Sequence, residues 1–184
     1  MLRVIAGTAK KRQLKVPRGM KVRPTADRVK EALFNILGGL VPGCTFLDLF
    51  AGTGSIGIEA LSRGAAGAVF VEKFKENIGV IKENLTVTGM AGKARVLHQD
   101  VADALILLGM EGAKFDLIYL DPPYLEDHRI STLAGIARYG LLKPGGVAVV
   151  ESGKKDSLPS EVEGLKMFRQ EKYGDTMLSF YCCK

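Results

Sequence analysis

Asp121-Pro122-Pro123-Tyr124 carries the most specific chemical signal in the chain. Its two prolines stiffen the segment and keep it out of any helix, and they leave carbonyls without competing N–H donors. Such a loop suits methyl transfer to an exocyclic amine. The lone pair of a nucleobase amino group is delocalised into the ring and attacks poorly. Two acceptors on its hydrogens, the Asp121 carboxylate and the Pro122 carbonyl, favour a pyramidal nitrogen with its lone pair aimed at the methyl group. Tyr124 offers a flat face on which an extruded base stacks, an interaction worth ~1–3 kcal/mol. In-line displacement of a thioether then needs positioning and electrostatics, and no metal. The plainer reading of the same four residues is a rigid surface turn beside a core tyrosine.

A second constellation lies upstream, in Leu47-Asp48-Leu49-Phe50-Ala51-Gly52-Thr53-Gly54-Ser55-Ile56-Gly57. It contains G-x-G-x-x-G, which is weak taken alone. Glycines at a strand-to-helix turn let backbone N–H groups approach a ligand, so Phe50, Ala51, Gly52, Thr53 and Gly54 are cofactor-binding candidates. A tight turn with no ligand is the competing reading. Asp48 separates the ligand classes. A pyrophosphate would meet its carboxylate unfavourably, whereas a ligand with an amine and a sulfonium would gain from it. S-adenosylmethionine is such a ligand. Glu72 ends the next strand and can accept both ribose hydroxyls, a geometry that serves NAD equally. Otherwise it is a solvated strand end. Asp100 ends the third strand and can accept an adenine amino group or cap the following helix. Lys73 and Val101 complete the cofactor-binding candidates.

Other chemistries fit less well. Cytosine C5 methylation needs a thiol in a Pro-Cys loop, and a P-loop needs Gly-Lys-Ser/Thr; both are absent, as is a Gly-x-Ser-x-Gly elbow. Cys44, Cys182 and Cys183 make no disulfide framework, and His98 and His128 stand apart, so a cytoplasmic chain without a structural metal is expected. The 184 residues suit one domain with its own core, and no apolar run reaches the ~20 residues of a membrane span. The N-terminus is apolar and then basic, the reverse of a secretion signal. Net charge is +6, unevenly spread: residues 1–30 hold ten Lys and Arg against Asp27 alone, +9, and the rest is −3. A basic arm on a slightly acidic body suits a polyanion, nucleic acid being the commonest, although it also describes a merely solvated terminus.

The elements that must position these loops follow from pattern. Residues 2–6 and 13–16 read as a small hairpin, and Pro17 to Pro24 as a basic loop. Thr25 can cap a helix whose apolar positions are Val29, Leu33, Ile36 and Leu37. Five strands then alternate with helices: strands at 45–49, 68–72, 94–98, 115–120 and 147–151, helices at 55–63, 75–87, 101–108 and 130–139. Lys143 to Gly146 reads as a turn. Such alternation means βαβ units and a parallel sheet covered on both faces. Residues 165–173 and 176–182 flank Gly174-Asp175 as an antiparallel hairpin.

These residues resemble the S-adenosylmethionine-dependent amino-methyltransferases with an Asp/Asn-Pro-Pro-Tyr loop. Arg3 to Gly7, the basic Lys10–Lys15 stretch, Arg23 to Asn35, Leu47 to Gly54, Glu59 to Ala65, Phe70 to Glu72 and Leu120 to Tyr124 narrow the likeness. Together they resemble the RsmD family, bacterial guanine-N2 methyltransferases of small-subunit (16S) ribosomal RNA. The likeness is strong over about residues 1–124 and rests on topology beyond. It implies a Rossmann-like α/β fold, a mostly parallel seven-stranded sheet ending in the antiparallel hairpin. It places cofactor acids at Asp48, Glu72 and Asp100 and the catalytic loop at Asp121, Pro122, Pro123 and Tyr124. It also implies an RNA-contacting extension, residues 1–24, ahead of a methyltransferase domain at 25–184. Arg12, Arg23, Pro24, Thr25 and Arg28 are the RNA-binding candidates. The expected partner is ribosomal RNA or the small subunit, with the chain a monomer and no membrane involved. The alternatives are an adenine-N6 DNA methyltransferase, for which the chain has little room for a target-recognition domain, and a non-catalytic RNA-binding assembly factor.

Overall fold

The computed structural model describes residues 2–17, 19, 25–123 and 126–183, with backbone alone at 25, 26, 126 and 127. Arg23, Pro24, Tyr124 and the Thr25 side chain lie outside this description. In chain order the elements are α1 (Thr25–Leu37), β1 (Thr45–Leu49), α2 (Ser55–Ser62), β2 (Gly67–Glu72), α3 (Lys75–Thr88) and β3 (Ala94–His98). There follow α4 (Val101–Met110), β4 (Phe115–Leu120), α5 (Glu126–Arg138), β5 (Leu142–Gly153), β6 (Glu161–Val162), β7 (Leu165–Tyr173) and β8 (Thr176–Cys183).

The strands make one sheet in the order β3-β2-β1-β4-β5-β8-β7-β6. The first five run parallel and the last three antiparallel. Alternate side chains of the parallel strands go to opposite faces, and both faces are covered, which is why these strands are apolar almost throughout. Phe46, Phe70, Leu117 and Val149 pack with Leu33 and Phe34 of α1, Ile58 of α2 and Ile81 and Leu85 of α3. Leu47, Leu49, Ile118, Leu120 and Val150 pack with Leu105 and Leu108 of α4 and Leu133 and Ile136 of α5.

The connectivity fixes where a ligand can go. β1 lies between β2 and β4, with Leu49 paired to Val71 on one side and to Leu120 on the other. Chain order reverses there, and the loops after β1 and β4 leave the sheet side by side. In open α/β sheets such a switch point is where ligands bind. The two constellations read from sequence are these two loops.

Three details differ from the sequence reading. Lys143 to Gly146 does not bound β5 but lies inside it, where the register jumps from Phe115–Leu142 to Leu117–Val147. Helix α5 begins at Glu126, four residues earlier than its apolar periodicity shows. To the seven expected strands the sheet adds β6, two residues long, on its outer edge.

The N-terminal segment pairs as a hairpin through a single bridge, Arg3 with Gln13, supported by Val4 N–H to Arg12 O at 2.9 Å and Leu14 N–H to Leu2 O at 2.9 Å. It is not a loose tail. Leu2, Val4, Ala9 and Leu14 are buried in the same core as α1 to α3. Gly7, at φ 83°, lies so close to α2 that a Cβ would stand 1.8 Å from the Ser62 carbonyl oxygen. No side chain fits there.

Candidate active site

The loop after β1 is held by backbone geometry and by two carboxylates. Ala51 N–H donates to Val71 O at 3.0 Å, and Gly54, at φ 76°, opens α2 from the left-handed region. Phe50 adopts φ 61°, which costs a non-glycine residue ~1–3 kcal/mol and persists only where the surroundings enforce it. Glu72, at the end of β2, accepts from Gly52 N–H at 2.9 Å and from Phe74 N–H at 2.8 Å. Its carboxylate is thereby fixed beside the loop.

Asp48 lies beneath that loop and is only 1% exposed. Its Oδ2 accepts from Gly57 N–H of α2 at 2.9 Å. Burial pushes its carboxyl up to about 8; the Gly57 bond opposes this, and the negative charges of Asp121 and Glu72 add to it. Asp48 thus anchors the helix that the loop launches and lies beneath the loop, with no open side chain. Three acids around one crevice make a site that a cation relieves.

Asp100 caps α4, its Oδ1 accepting from Ala102 N–H at 3.1 Å, so the capping alternative is the one its bonding displays. Val101 is buried behind it. Lys73 is exposed; its carbonyl lies 3.1 Å from His98 Nε2, and its ammonium sits over the Phe74 ring.

Asp121 leaves β4 at the surface, with Pro122 buried and Pro123 exposed behind it. The β4–β5 register pairs Tyr119 with Val149 and Leu120 with Val150, so Asp121 falls opposite Glu151. Tyr119 donates its hydroxyl to the Glu151 carboxylate. Burial first, then the charges of Glu151 and Asp121, hold the phenol well above its ordinary pKa. It therefore holds its proton and serves as a hydrogen-bond donor to Glu151. Neither Tyr119 nor Glu151 stood out in the sequence, where both read as strand residues.

The basic arm divides into outward and inward cations. Arg12 and Arg28 are exposed, as are Lys10 and Lys11. Arg3 faces Asp27 at 3.6 Å, and Lys15 pairs with Glu83 at 3.0 Å. Lys30 is 2% exposed and donates to Arg3 O at 2.6 Å, with Glu59 at 3.9 Å. Burial lowers its pKa, with Glu59 opposing the shift. Hence not all of the +9 counted from sequence faces outward, because Lys30 is turned to the interior.

Two buried polar side chains tie this arm to the site, and sequence reasoning assigned neither a role. Glu59 of α2, wholly buried, accepts from Ile5 N–H at 2.8 Å, Ala6 N–H at 2.9 Å and Arg63 Nε at 2.7 Å. Asn84 of α3, also wholly buried, bonds both Lys15 and Thr53. The available signal was a polar residue three positions after Ile81, on the face of α3 that the helix buries.

Comparison with known proteins decides the family. The model of the family described as conserved hypothetical protein 95 matches residues 2–182. The chain belongs to this family, the RsmD family. It is 40% identical over 180 residues to "Putative rRNA methyltransferase YlbH" of Bacillus subtilis, covering 98% of each chain. It is 33% identical to ribosomal RNA small subunit methyltransferase D of Escherichia coli, over 98% of this chain and 89% of that one. The solved structure of "Putative methyltransferase yhhF from Escherichia coli" superposes with TM-score 0.85 at 34% identity, over 98% of this chain and 96% of that one. The chain thus shares the fold of this solved relative over nearly all of its length.

Proposed function

We propose that this protein transfers a methyl group from S-adenosylmethionine to the exocyclic N2 amine of a guanine in small-subunit (16S) ribosomal RNA. The observation that carries the reading is the meeting of two loops at the switch point: the glycine turn with Asp48 and Glu72, and Asp121-Pro122-Pro123 beside it. The named activity of the relatives supports it.

The residues fit the cofactor. A buried acid with two carboxylates for neighbours favours a cation and repels a pyrophosphate. Glu72, already oriented by two backbone N–H groups, retains acceptor capacity for ribose hydroxyls. Gly52 and its neighbours bring backbone close to the ligand. Asp100 and Val101, with Lys73, would border the adenine. When bound, S-adenosylmethionine supplies a methyl group on a sulfonium, with a thioether as leaving group.

The chain's own residues do the rest. The Asp121 carboxylate and the Pro122 carbonyl accept the two N2 hydrogens and set the lone pair toward the methyl. Pro123 stiffens the loop, and Tyr124 stacks on the base. Residues 1–24 act as an RNA-contacting extension of the domain at 25–184. Arg12, Arg23 and Arg28, with Pro24 and Thr25 leading into α1, position phosphates without reading sequence. No helix among the described residues is long and apolar enough to cross a membrane. A cytoplasmic monomer acting on ribosomal RNA or the small subunit completes the proposal.

The test is transfer of tritiated methyl groups to 16S ribosomal RNA, naked and in small subunits, from a strain lacking the enzyme, followed by nucleoside mass spectrometry. N2-methylguanosine is the expected product. N6-methyladenine in a DNA control would replace this reading with a DNA enzyme, and no incorporation into any RNA form would leave a binding factor.

A further inference from the structure

Asn84 uses every polar atom of its side chain to join two segments far apart in sequence. Its Oδ1 accepts from Lys15 N–H at 2.7 Å. Its Nδ2 donates to Lys15 O at 3.0 Å and to Thr53 O at 3.0 Å. Thr53 lies between the two glycines of the cofactor turn, and Lys15 lies in the basic arm. The side chain is wholly buried, so no water substitutes for a lost bond without a rearrangement.

A second connection runs in parallel through α2. The glycine turn opens that helix, and Asp48 grips it at Gly57 N–H. One turn on, Glu59 and Ser62 hold the arm at Ile5, Ala6 and Ala9. The arm therefore rests on the turn and on the helix the turn launches. A ligand that orders one is placed, through these bonds, to bias the other.

We propose that Asn84 is a positioning residue that couples the arm to the cofactor turn, so that cofactor and RNA each strengthen binding of the other. The inference rests on the proposed roles of those two regions. A coupling carried by packed, hydrogen-bonded elements is reciprocal, so the same factor appears whichever ligand is added first.

The experiment titrates S-adenosylhomocysteine, which cannot react, into the full chain with and without small subunits from a strain lacking the enzyme. Subunit affinity is then measured with and without saturating S-adenosylhomocysteine. Wild type should show the same factor in both directions, about fivefold or more. Asn84→Ala should cut the factor by about half or more, the remainder carried by the parallel connection through α2, while each separate affinity stays within about threefold of wild type. A purely structural role would lower stability and leave the factor intact. Should Asn84→Ala fail to fold, Lys15→Pro removes the N–H that donates to Asn84 Oδ1 and should likewise lower the factor. Lys15→Ala keeps that N–H and should preserve it. A wild-type factor of one, with both ligands binding, overturns the coupling and leaves the proposed function standing. Failure of S-adenosylhomocysteine to bind at all overturns the function itself.

Discussion

The crevice at the end of β1 and the basic arm treat charge in opposite ways. In the crevice, Asp48 and Glu72 are buried and their carboxylates are engaged by backbone N–H groups of the loops around them. In the arm, Arg12, Lys10 and Lys11 are exposed, while the backbone that carries them is gripped by Glu59, Ser62 and Asn84. One region spends its charges on geometry, and the other spends its geometry on presenting charges. A buried, bonded charge cannot be altered without changing structure, protonation and ligand affinity together. A solvated one contributes a small, nearly independent increment.

The sharpest break in this comparison comes at Asp121, which in the proposed function touches the amine only as it reacts. Asp121→Ala should lower kcat about a thousandfold, ~4 kcal/mol in barrier, with S-adenosylhomocysteine affinity retained. Single-turnover kinetics beside calorimetry reads both, and a variant within about tenfold of wild type would remove the acceptor role. Next in size is Glu59→Gln. The amide presents a donor to N–H groups that now meet an acceptor, and Lys30 loses its nearest negative charge. The expected loss is about 3 kcal/mol in urea unfolding, part of it recovered by adding Lys30→Met. If the single substitution cost under ~1 kcal/mol, the arm would not depend on this buried centre.

The comparison also shows what pattern alone could reveal. Strand–helix alternation exposed the sheet, because both faces of β1, β4 and β5 are covered and their residues are apolar in runs. The two loops were legible because Gly52, Gly54, Pro122 and Pro123 fix backbone geometry through their own covalent structure. Glu59, Asn84 and the Tyr119–Glu151 pair were not, since their roles depend on partners 30 or more residues away that only the folded chain brings near. Lys30 misled for the same reason. A lysine adds to a charge count whether it faces solvent or, as here, the carbonyl of Arg3. The excursion inside β5 was hidden because pairing with β4, rather than local propensity, sets where β5 begins.

Asp48 gives the next test, through pH. In the folded chain its carboxyl titrates at about 8, against an ordinary value near 3.8. Between those values the folded state holds a proton that the unfolded state has lost. Asp48's contribution to stability is thus complete below the lower value and disappears as pH rises through the upper one. A cation in the crevice favours the ionised form. Cofactor binding below that upper value should therefore release a proton, and affinity should rise with pH by at most about tenfold per unit. Titrations of S-adenosylhomocysteine from pH 6 to 8, in buffers of different ionisation enthalpy, measure both. Asp48→Asn should flatten the affinity profile and remove the falling stability between pH 5 and 8. A wild-type profile as flat as the variant's would mean that Asp48 only anchors α2.

The smallest effect separates outward from inward cations. Arg12 is exposed on the arm and Lys30 is sealed beneath it, so the two contribute equally to formal net charge but, in the proposed function, should contribute unequally to RNA binding. Each phosphate contact releases condensed counterions and adds roughly 0.7–0.9 to the slope of log affinity against log salt. Arg12→Ala should make that slope shallower by about one such increment and weaken RNA binding a few-fold at physiological salt, with cofactor affinity unchanged. Lys30→Met removes the same formal charge but no phosphate contact, so its slope should match wild type even if the protein is less stable. Filter binding at four salt concentrations distinguishes them. Equal slopes for the two variants would show that the arm acts through its total field, and that its docked geometry confers no selectivity among its cations.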